Sequence, residues 1–155
     1  MAAVRGRRGF TLVEVLVALL VLAVGMLATA ALLLDSLRGS RHAQERTQAV
    51  NLAIDIAERM RANRAAGGAY DTADGTPEPR LEPGCERADG ACDPRTMAGH
   101  DLRRWLDAVT TALPEGTGSV VVEPQANALL RCTISVTWTP GGGDGPAAYR
   151  LAMVL

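Results

Sequence analysis

Residues 15 to 34 (VLVALLVLAVGMLATAALLL) are twenty consecutive positions without a charge. At a rise of about 1.5 Å per residue they predict a helix about 30 Å long, enough to cross the hydrocarbon of a bilayer. A core helix that is apolar on every side needs a large protein around it, and the roughly 90 residues beyond position 66 are too few. The helical pattern then continues from Asp35 to about Arg64, weakened only by Gly39 and free of proline. In that stretch Val50, Ala53, Ile54, Ala57 and Met60 recur at helical spacing, with Gln48, Asn51, Asp55, Glu58 and Arg59 largely opposite. One helix from Phe10 to about Arg64 is expected, apolar in its first half and amphipathic in its second.

Ala66-Gly67-Gly68 marks its end, and residues 69–93, with three prolines and no periodicity, predict an exposed loop. Asp93-Pro94 has the form of a helix N-cap followed by proline at the first helical position. Ala98, Leu102, Trp105, Leu106, Val109 and Leu113 then form a helical stripe that stops at Pro114, and LPEGTG is a turn. Val120 to Val122 predicts a short strand. Leu130, Cys132, Ile134, Val136 and Trp138 alternate with polar residues, as do Tyr149, Leu151, Met153 and Leu155 beyond the PGGGDGP loop. The expected fold class is α+β: a long helix packed on a small antiparallel sheet with one short extra helix.

Charge divides the chain. Residues 1–66 carry nine Arg against five acids, and residues 67–155 carry seven Arg against twelve acids, although the whole chain sums to −1. The acidic second part opposes the approach of phosphate, so no nucleic-acid partner is expected, and Arg59, Arg61 and Arg64 read as a solvated helix face. All sixteen basic residues are Arg, which excludes Schiff-base and P-loop lysine chemistry. Arg5, Arg7 and Arg8 flank the apolar run on one side and Asp35 on the other, which puts the N-terminus in the cytoplasm and the residues after the run outside.

A secretory signal peptide has a similar layout, and Ala28-Thr29-Ala30 supplies a site of the right kind. Against it stand the length of the run and Glu14 inside its beginning. A charge near the bilayer centre costs on the order of 2.5 to 3.5 kcal/mol, less toward the edge, so an intramembrane Glu implies a cationic partner. Residues 9–20, GFTLVEVLVALL, resemble the processing site of type IV prepilins and type II secretion pseudopilins, and the short basic leader fits as well. The resemblance implies that prepilin peptidase cuts between Gly9 and Phe10 and methylates the new N-terminus. It also implies that Glu14 meets the freed α-amine of a neighbouring subunit during assembly.

Further along, MRANRAA, a cysteine-containing loop, HDLRRWLDAV, LPEGTG and a strand ending Val-Thr-Trp resemble the PilV family of type IV pilus modification proteins. A pilin-like fold follows, with a leader over 1–9, a transmembrane and assembly helix over 10–34, its amphipathic continuation over 35–66 and a periplasmic head over 67–155. The implied role is that of a non-catalytic minor pilin in the inner membrane. Its partners would be prepilin peptidase, other minor pilins and the major pilin, inner-membrane lipid and a pilus-tip adhesin. A minor pseudopilin of a type II secretion system is the alternative, and a signal-anchored periplasmic enzyme or binding domain a more distant one.

Of the three pairings open to three cysteines, a Cys85–Cys92 disulfide is favoured in an oxidising compartment, with Cys132 a buried thiol on its strand. A zinc site from Cys85, Cys92 and His100 lacks a fourth ligand, and Asp144 alone is far short of a calcium site, so neither a metal nor another cofactor is expected. His42 and His100 are expected in solvent, and adjacent His100 and Asp101 point different ways on a helix. Trp105 and Trp138 fall on apolar stripes and are assigned to the core.

Overall fold

The computed structural model describes residues 9–73, 78–87, 92–141 and 145–155. The leader arginines Arg5, Arg7 and Arg8, and the calcium candidate Asp144, lie outside the described residues. The chain divides between Ser40 and Arg41 into two compact units. The first helix, α1, covers Leu12–Ala62. Its N-terminal part makes up the first unit, where every described side chain from Gly9 to Ser40 is exposed. The helix contains one stretch long and apolar enough to cross a membrane, with none of that stretch buried within the protein.

In the second unit α1 buries Ala49, Ala53, Ile56, Ala57 and Met60. This seam is rotated from the sequence-based stripe: Ile54 is 43% exposed, and Ala49 and Ile56 take the buried places. The apolar arc of the helix is wide enough to include both flanks, and only the packed partner selects between them. That partner includes α2, Pro94–Ala112, whose Trp105 is buried and donates its indole N–H to the Leu52 carbonyl at 2.9 Å. Asp93 caps α2 by accepting from the backbone N–H groups of Arg95 and Thr96, and Pro94 follows it.

Three strands form one antiparallel sheet in the order β1-β2-β3: β1 is Thr117–Pro124, β2 Leu130–Trp138 and β3 Ala147–Val154. Alternation along β2 holds throughout, with Cys132, Ile134, Val136 and Trp138 on the buried face. β1 is longer than its apolar centre suggested, because Gly118 lets the strand run directly beneath Trp105. A Cβ at Gly118 would lie 2.5 Å from the indole ring. The fold class is the α+β arrangement expected.

Residues 69–73 depart from the exposed loop that their composition predicted. A 3-10 segment, Arg64–Tyr70, follows α1, with Gly67 in the left-handed region at φ 53°. It turns the chain so that Tyr70 is fully buried. A second 3-10 turn, Pro83–Glu86, carries Cys85, which is bonded to Cys92 with the two Cα atoms 5.0 Å apart. Cys132 is a buried free thiol, and burial, then the nearby Asp71 carboxylate, raise its pKa.

Candidate processing and assembly site

Gly9, Phe10 and Thr11 precede the first turn of α1, with Phe10 81% exposed. The Thr11 hydroxyl accepts from the Glu14 N–H at 3.2 Å, and the Thr11 carbonyl accepts from the Val15 N–H. Thr11 thus caps the helix, and Thr11-x-x-Glu14 has the spacing of a capping box, a signal present in the sequence that the motif reading passed over. Glu14 in this first turn also complements the positive end of the helix dipole. Its carboxylate meets no cation among the described residues. Phe10, Glu14, Val15, Ala18, Leu19 and Leu22 line one shallow depression, so the junction residue and the acid occupy the same side of the helix.

In the second unit, sequence reasoning missed a polar cluster. Asp101 is only 6% exposed. It accepts from the Tyr70 hydroxyl at 2.7 Å and from the Arg59 guanidinium at 3.0 Å. Asn63 donates to the Tyr70 oxygen at 3.2 Å and to the Pro94 carbonyl at 2.8 Å. Arg59 is therefore not simply part of a solvated face: it also pairs with Asp55, and these two carboxylates raise its pKa, the Asp55 hydrogen bond most. Burial, followed by the hydrogen bond to Asp101, pushes the Tyr70 phenol far above its ordinary value.

His100, expected in solvent, is 3% exposed. Its Nδ1 accepts from the Glu82 N–H at 3.0 Å, which docks the 3-10 turn of the disulfide segment on α2. Arg80 N–H to the Gly99 carbonyl and Arg104 to Glu86 add to the same contact. His100 and Asp101 do point different ways, as neighbours on a helix must, and each serves a structural hydrogen bond. Cys85 and Cys92 are spent on each other, so the zinc combination with His100 does not form. Trp105 and Trp138 are both in the core.

A long helix, apolar at its start and packed at its end, with a small antiparallel sheet and one extra helix, defines the pilin-like class. Residues 4–30 match the prokaryotic N-terminal methylation motif, and residues 31–103 match the family described as Type IV pilin Tt1218. The two matches adjoin and together support a type IV pilin subunit. No curated protein and no solved structure matches the chain. The prepilin motif implies processing by prepilin peptidase and association with other pilins, and with the apolar helix it fits a pilin anchored in the inner membrane.

Proposed function

We propose that the chain is a minor pilin of the PilV type, a structural subunit that joins other minor pilins and the major pilin in initiating a type IV pilus. Prepilin peptidase cuts after Gly9, leaves Phe10 as a methylated N-terminus, and the apolar half of α1 stays in the inner membrane with the head outside. The adjacency of the two family matches, the first of which spans the Gly9–Phe10 junction and Glu14, supports the pilin part of this reading, and the PilV assignment rests on the resemblance over MRANRAA, HDLRRWLDAV and LPEGTG. Glu14, which meets no cation among the described residues, then receives one from the α-amine of a neighbouring subunit. At about 4 Å and an effective dielectric of about 20 that attraction is roughly 4 kcal/mol before desolvation.

Intact-mass measurement of the membrane-extracted protein tests processing. The expected chain begins at Phe10 with a methylated amine and, having lost three of its arginines, carries a formal charge of −4 in place of −1. A start at Ala31 establishes a cleaved signal peptide instead, and a start at Met1 removes prepilin processing. Co-purification with other minor pilins, against components of a secretion apparatus, distinguishes the pilus role from that of a pseudopilin.

A further inference from the structure

A cleft of about 290 Å³ lies within the second unit, lined among others by His42, Glu45, Arg46, Trp138, Pro140 and Ala148. α1 supplies its polar groups, and the end of β2 with the start of β3 supplies its apolar wall. Glu45 is held in place, because the Trp138 indole N–H donates to its Oε2 at 3.2 Å. A carboxylate has lone pairs for further donors, so this bond fixes the acid without exhausting it. The next residue, Arg46, is exposed and pairs with no acid among the described residues. Ala148 adds a neutral donor. Leu130 and Leu155 exchange both backbone hydrogen bonds, and the register runs unbroken from Arg131 to Trp138, so the alternation of antiparallel pairing turns the Ala148 N–H away from β2.

One small cleft thus combines an anchored anion, an unpaired cation and an open backbone N–H. We propose that it binds the phosphoethanolamine headgroup of a membrane lipid, with Arg46 and the Ala148 N–H taking the phosphate and Glu45 the primary ammonium. The inference rests on the membrane anchoring of α1 proposed above.

Size, charge and position select this occupant. The volume stands at the bottom of the range of roughly 300 to 1,000 Å³ usual for small-molecule pockets, which suits a headgroup and leaves no room for a strand or helix of another protein. Adjacent side chains of opposite sign complement a zwitterion. A purely anionic headgroup would bring its phosphate beside Glu45 with nothing to satisfy the acid, and a quaternary ammonium has no N–H to donate to it. His42 follows Leu34, the last residue of the apolar run, by eight positions. Eight residues reach no further than about 29 Å however they are disposed, so the cleft is tethered close to whatever membrane holds that run.

Binding of glycerophosphoethanolamine to the full chain in detergent micelles tests the chemistry. The backbone amide resonance of Ala148 reports the cleft, and that of Glu82, bonded to His100 elsewhere in the head, is the internal control. Ala148 should shift saturably while Glu82 does not. Glycerophosphocholine should bind about fivefold more weakly, the loss expected for one solvent-accessible charged contact. Glu45→Gln keeps an oxygen for the Trp138 N–H and should erase that preference, so that both probes bind alike. Arg46→Gln should weaken both by about fivefold.

Nanodiscs identify the source of the headgroup. Discs containing phosphatidylethanolamine should reproduce the Ala148 shift with no soluble probe present, and discs of phosphatidylcholine alone should not. Entry into the discs reports the membrane anchor separately. A chain that enters them and gives the same Ala148 signal in both lipids overturns the lipid site and leaves the anchor standing, even if the soluble probe binds. A chain that does not enter overturns the anchor and this proposal with it. No saturable shift with the probe, or an ethanolamine preference that survives Glu45→Gln, overturns the proposal as well.

Discussion

Asp101 joins parts of the chain that are remote in sequence, Tyr70 by 31 residues and Arg59 by 42. Because the group is buried and accepts two hydrogen bonds, Asp101→Ala leaves a phenol and a guanidinium arm without their acceptor. It should lower stability by about 3 kcal/mol, measured by denaturant unfolding of the full chain in mild detergent. Tyr70→Phe, which leaves Asp101 still paired with Arg59, should cost less. Asp93 supplies a pH dependence of known sign. Hydrogen bonds from Thr96 and Arg95 hold its pKa below the ordinary 3.8, the Thr96 side chain contributing most. A depressed folded-state pKa contributes stability above the unfolded value, and that contribution is lost as the pH falls through the folded value. Asp93→Asn keeps a capping side chain and removes only the charge, so its deficit against the parent in thermal melts should be present at pH 5 and should shrink as the pH is taken from 4 toward 2.

At the level of elements, periodic segments could be read from the sequence and aperiodic ones could not. β2 was legible because every second residue is apolar and every one of those from Cys132 to Trp138 is buried. α2 was legible because cap, proline and stripe agree. The seam of α1 was displaced toward Ala49 and Ile56, since periodicity defines an arc and not the part of it that meets a partner. The segment around Tyr70 gave no warning of its burial: its contacts with Asp101 and with β1 are fixed by long-range packing, and its composition is that of a loop. His100 was misjudged for the same reason, because what covers it is the disulfide segment and not its own helix. At the N-terminus the local motif supplied the expectations for Gly9, Phe10 and Glu14, and the Thr11 cap had its own signal in the Thr-x-x-Glu spacing, which the motif hid. The disulfide segment offers an element-scale prediction. Cys85→Ser with Cys92→Ser opens a loop of about eight residues, which on the chain-entropy estimate costs about 2.5 kcal/mol. Hydrogen exchange at the Glu82 N–H, which bonds to His100, should quicken in the same variant.

For the whole molecule, the exposed apolar half of α1 cannot remain in water, and lipid or neighbouring subunits must cover it. The carboxylate of Glu14 in its first turn is then a charge that such a neighbour meets there. Glu14→Gln keeps the shape and the helix cap, so head folding and cleavage after Gly9 should persist while incorporation among partner pilins falls. Desolvation limits how much of the Coulomb energy a buried pair recovers, so a partial loss is the expected size of the defect. Piliation or twitching in a deletion strain complemented with the variant measures it, and full activity with unchanged co-purification would withdraw the role assigned to Glu14. The two tryptophans also make the head self-reporting. Trp105 donates its indole N–H to the Leu52 carbonyl and Trp138 donates to the Glu45 carboxylate, so both indoles of the chain are tethered to α1 within the second unit. Selectively excited tryptophan emission consequently carries no contribution from elsewhere: a red shift in it is a direct optical signal that this part of the helix has left its bed. That signal can be followed without any label while the subunit associates with other pilins.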